Sequence, residues 1–116
     1  MRKLGRPRIY YDYELPHGVV ETVRGVVMDY DRREQAIKRS TITGSVLERY
    51  IELNDAVDAA LGEVDVGIRG DMMLDVALNT GYAFSQCARC IGRKAYYQKK
   101  KKFIYDIAVR IFLVPK

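Results

Sequence analysis

Two groups of residues in the stretch "SQCARCIGRKAYYQKKKKFIYDIAVR", Ser85 to Arg110, have the types and spacing to do chemistry. Cys87 and Cys90 form a C-x-x-C pair, which suits metal binding or thiol–disulfide exchange. Lys99, Lys100, Lys101 and Lys102 form a cationic run between Tyr96, Tyr97 and Phe103, which suits a polyanion. A structural zinc site takes four ligands, and the only other soft candidate is His17, about seventy residues away. A redox C-x-x-C opens a helix after a strand, and no strand is predicted before Ser85. The cysteines are therefore expected to act as small apolar side chains in a tight interhelical contact. Neither a metal nor a cofactor is expected.

The remaining candidates for catalysis are weak. His17 stands between Pro16 and Gly18 with no serine or cysteine near it, and Asp29, Asp31 and Glu34 alternate with Arg32 and Arg33 as on a solvated helix face. There is no glycine-rich phosphate loop and no nucleophilic triad pattern, so the chain is not expected to be an enzyme. Near the N-terminus "GRPR", Gly5 to Arg8, resembles the arm of DNA invertases. That likeness implies minor-groove contact by Arg6 and Arg8, with proline holding the arginines extended.

Charge is segregated along the chain. Residues 85–116 carry nine basic side chains and one acidic, whereas residues 17–84 carry seven and twelve. A basic excess concentrated at one end is the footprint of a polyanion, with double-stranded DNA the leading candidate. At 116 residues the chain is one domain by length. Its apolar runs are too short to span a membrane, and no apolar segment follows the basic "MRKLGRPR" as in a secretory signal. A cytoplasmic location in a bacterial host cell, with reduced cysteines, is the expectation.

The elements that must position these residues are predicted to be all-α. Residues 1–16 form a basic arm ending at Pro16. Val19, Val23, Val26, Val27, Tyr30 and Ile37 recur at helical spacing, predicting one helix from Gly18 to about Arg39. The valines and Gly25 leave a strand open for Val19 to Met28, and the helix is preferred. "STITG" interrupts the pattern, and a second helix follows from about Ser45 to Leu61, its stripe formed by Leu47, Tyr50, Ile51, Asn54, Val57 and Leu61. The two would form a long hairpin over residues 17–62, with enough apolar surface to predict a homodimer. "GEVDVGIRGD" marks the internal boundary, and residues 63–116 are predicted to hold three helices: Met72 to about Asn79 with Asp71 as N-cap, Ser85 to Ile91, and about Lys94 to Phe112.

A short helix, a turn and a basic helix are the parts of a helix-turn-helix. Ala88 is small where the helices approach, Ile91 anchors the core and Gly92 takes the turn. On a helical wheel Tyr96, Phe103, Ile104, Ile107, Ala108 and Ile111 share one apolar arc, with Lys100 inside it. Gln98, Lys99, Lys102 and Asp106 lie opposite, and Lys101 lies at the border. The expected DNA-binding residues are Arg93, Lys94, Gln98, Lys99, Lys101 and Lys102, beside Arg6 and Arg8 of the arm. Lys99 and Lys102 suit phosphates, whereas Arg93 and Gln98 suit base edges, guanine for a guanidinium and adenine for an amide.

The segment from Met72 to Val114 resembles the end of small phage late-gene regulators of the RinA and ArpU type, whose helix-turn-helix is similar to region four of bacterial sigma factors. Lys102, Phe103, Ile107, Ala108 and Phe112 carry the likeness, and "DYDRREQAI" and "YIELNDAVDAAL" resemble the family's N-terminal half. Two departures are the turn "IGRKAYY", which lacks a capping serine, and the C-x-x-C. The resemblance implies a phage or prophage transcription activator of late genes, with RNA polymerase as a partner. The alternative is a small terminase-type packaging subunit, which would assemble as a ring.

Overall fold

The computed structural model describes residues 14–80 and 92–111, and these are all-helical with no strand among them. Among the described residues five helices follow in order: α1 (His17–Met28), α2 (Tyr30–Arg39), α3 (Gly44–Leu61), α4 (Arg69–Leu78) and α5 (Arg93–Arg110), with a 3-10 turn, Val66–Ile68, leading into α4. The arm with Arg6 and Arg8, the expected helix Ser85 to Ile91 with Cys87 and Cys90, and Phe112 lie outside the described residues.

The helix predicted from Gly18 to Arg39 is two helices. They meet at Asp29, whose ψ of 7° departs from helical geometry. The guanidinium of Arg33 donates to the carbonyl of Val26, one turn before the junction. A side chain entering the carbonyl ladder is a recognised cause of a helix break. The consequence is topological: α1 packs chiefly on α4 and α5, whereas α2 packs on α3.

"STITG" ends α2 as expected. Ser40 takes the left-handed conformation at φ 56°, and Gly44 opens α3 at φ 63°, which glycine adopts without steric cost. Along α3 the buried residues are Asn54, Ala56, Val57 and Ala60. Ile51, expected on the packing stripe, is exposed. The buried stripe is shifted toward Ala56 and Ala60, small residues whose place in the core the larger apolar residues obscured.

"GEVDVGIRGD" packs into the core. Val64 and Ile68 are core residues, and Arg69 donates from Nε to the Val64 carbonyl at 2.8 Å and from Nη2 to the Gly62 carbonyl at 3.1 Å. Those bonds satisfy carbonyls at the exit of α3 that no further helical turn serves. α4 consequently begins at Arg69, with Asp71 in its first turn and not at its cap, and it ends at Asn79 in the left-handed conformation.

One core joins the segments on either side of the expected boundary at residues 62–63. Val23 and Val27 of α1, Val57 and Ala60 of α3, Met72 and Val76 of α4, and Tyr96, Phe103, Ile104, Ile107 and Ala108 of α5 form one buried cluster. All six residues assigned to the apolar arc of α5 are in it, Ile111 included. Each large side chain buried here contributes about 1.5–3 kcal/mol relative to exposure.

Candidate nucleic-acid interface

Four consecutive residues on an α-helix point in four directions, because each step turns the chain by about 100°. The lysine run of α5 therefore cannot present one cationic face, and each lysine meets a carboxylate from a different place. Lys99 Nζ lies 3.3 Å from Asp65 Oδ2, in the segment before α4. Lys100 Nζ lies 3.0 Å from Asp75 Oδ1 of α4. Lys101 pairs with Glu14, and Lys102 with Asp106 one turn along α5 at 2.8 Å.

These pairs differ in kind. The Lys100 side chain is 15% exposed and that of Asp75 only 2%, and Asp75 also accepts a 2.6 Å hydrogen bond from the Tyr96 hydroxyl. Lys100 Nζ is 5.7 Å from the centroid of the Tyr97 ring, an arrangement that favours the cation further. A desolvated pair that is also hydrogen-bonded is costly to break from one side, so Lys100 belongs to the fold. Its place inside the apolar arc has this cause. The other three lysine side chains are between 39% and 47% exposed, and solvent-exposed pairs contribute about 0–1 kcal/mol each. Their ammonium groups can exchange partners.

Viewed down α5, Lys94, Gln98 and Lys102 lie within an arc of about 80° on the face turned from the core, with Asp106 next to Lys102 and with Lys101 at the other flank, beside Ala108. Lys94, Arg93 and Lys101 are exposed. No acidic side chain stands in the first turn of α5, where unpaired backbone N–H groups already make the helix end positive. Gln98 is half-buried, and its Oε1 is buried with no hydrogen-bond partner among the described residues. Reading adenine would require this side chain to turn outward. Lys99 lies at the flank of the face, toward Asp65.

Sequence reasoning did not single out Glu14, Asp65, Asp75 or the Tyr96 hydroxyl. Asp75 nevertheless had a signal: it shares the apolar stripe of α4 with Met72 and Val76, as Lys100 shares that of α5. An acid in one apolar stripe and a base in another are complementary anomalies.

Between α3 and α5 runs an open groove of about 620 Å³, lined by Ala56, Ala59, Tyr105 and Val109 with Glu52, Asp55 and Asp106 beside them. No group of three or more potential metal ligands occurs among the described residues. Among them, too, no helix is long and apolar enough to cross a membrane. No family model, curated protein or solved structure matches the chain.

Proposed function

We propose that this chain is a DNA-binding transcriptional regulator of phage or prophage type, which lays the outer face of α5 against the major groove as a homodimer and positions RNA polymerase at late promoters. The observation that carries the DNA-binding reading is the outer face itself: Lys94 and Lys102 lie on the side of α5 turned from the core, with Lys99 and Lys101 at its two flanks. The first turn adds Arg93 and the positive helix end. The phage assignment and the polymerase contact rest on the family resemblance of residues 72–114, and the dimer on the apolar surface of the first helices. Lys99, Lys101 and Lys102 give up only weak pairs to reach phosphate, whereas Lys100 stays with Asp75.

A mobility-shift titration against salt tests this. Binding should fall steeply as salt rises, and Lys94→Ala with Lys101→Ala should reduce the slope of log K against log salt by about 2, close to one unit per lost phosphate contact. A slope unchanged by the double substitution removes α5 from the interface.

A further inference from the structure

We infer that Glu14 and Asp65 are built-in competitors for DNA: each occupies an α5 lysine as a phosphate would, so duplex binding must displace them, and they hold the protein's affinity for arbitrary DNA down. The inference rests on the DNA-binding reading above and concerns regulation of that same face.

Three observations carry it. First, the carboxylates reach α5 from outside it. Glu14 stands just before α1, 87 residues from its partner Lys101, and Asp65 lies in the turn segment before α4. Neither pair follows from local helix geometry, unlike Lys102 with Asp106. Second, both acids are mostly solvated, with side chains 64% and 66% exposed, so their exchange for another anion leaves no buried charge behind. Third, the carboxylates sit on the lysines that flank or form the outer face, while the one lysine turned into the core has its own partner in Asp75. A phosphate approaching Lys99 or Lys101 therefore meets a carboxylate that repels it and already holds the ammonium. Only a duplex that makes further contacts, at base edges or along a second protomer, offsets the loss. Such competition lowers non-specific binding more than specific binding and so widens the ratio between them.

The test is a comparison of duplex affinity at low salt for the full chain, using a random-sequence duplex as probe. Glu14→Gln with Asp65→Asn should tighten binding roughly three- to tenfold, and the gain should shrink as salt rises. Asp31→Asn with Glu48→Gln removes the same charge from exposed sites of α2 and α3 that are not paired with α5 lysines. If that control tightens binding as much, net charge alone is responsible and the inference fails. Asp65→Asn should have no effect in a Lys99→Ala background, and an undiminished gain there also overturns it. Failure of the wild type and the double variant alike to bind any duplex overturns the DNA-binding reading together with the inference. Salt-dependent binding by the wild type without any gain in the variant overturns the inference alone.

Discussion

Two buried polar clusters pin the bundle, one between α2 and α3 and one between α4 and α5, and they neutralise charge in different ways. In the second, Asp75 and Lys100 are joined directly and Tyr96 adds a neutral donor. In the first, Arg33 is only 3% exposed and donates to Asn54 Oδ1 at 2.6 Å, not to a carboxylate. Asn54 passes the interaction on, its Nδ2 donating to Glu34 Oε1 at 2.9 Å and to the Tyr30 carbonyl at 3.3 Å. Burial accordingly pushes the Arg33 guanidinium below the ordinary arginine value. A directly paired ion is lost all at once when its partner goes, whereas a relayed one depends on the geometry of an amide between two charges.

The largest effect should come from breaking the direct pair on one side. Asp75→Ala leaves a nearly buried ammonium and a buried hydroxyl without their acceptor, and urea unfolding should show a loss of about 3–5 kcal/mol. Replacing both ions by apolar residues of similar volume, Asp75→Leu with Lys100→Met, should recover most of that loss; failure to recover would mean that packing and not charge sets the cost.

In the relayed cluster, Asn54→Leu removes the acceptor of Arg33 and the donor to Glu34, an expected loss of about 2–3 kcal/mol by the same measurement. Loss equal to that of Asp75→Ala would erase the distinction between the clusters. The smaller expectation holds because Arg33 keeps its bond to the Val26 carbonyl and the Coulombic attraction of Asp29.

A pH-dependent effect is expected beside the relayed cluster. The Tyr30 hydroxyl beside α3 donates to Asp58 Oδ1 at 2.6 Å, and desolvation followed by that bond raises its pKa above the ordinary tyrosine value. The folded state thus holds a proton that the unfolded state releases above about pH 10. The contribution is fully present below that pH and is lost as pH rises toward the folded value. Stability should fall more steeply above about pH 10 in the wild type than in Tyr30→Phe, as followed by unfolding midpoints. The smallest effect is expected at the surface: Arg49→Ala, which deletes the exposed pair with Glu52, should change stability by less than about 0.5 kcal/mol.

How far the sequence could be read depended on whether a residue obeyed or violated its helix pattern. Tyr96, Phe103, Ile104, Ile107, Ala108 and Ile111 obey a period of 3.6, and the core face of α5 followed from them. Val66 and Ile68 fall in a glycine-rich segment with no period to read, yet one is exposed and the other is core. The violations were visible without their meaning. Asn54 and Lys100 stood out in apolar stripes, but the partner that made each tolerable lay 21 or more residues away. The break at Asp29 had no glycine or proline at the junction to announce it.

The chain alone determined that it is helical, where the pattern is interrupted around Ser40 to Gly44, which side of the last helix is apolar, and that positive charge gathers after residue 84. These properties belong to local periodicity and composition, which neighbours in sequence suffice to define. Tertiary structure decided that Lys100 is a core ion while Lys99 and Lys101 hold exposed carboxylates and Lys102 a half-buried one, and that Arg33 is buried. A charge's environment is set by which distant atoms exclude water from it, and only the packed helices bring those atoms together.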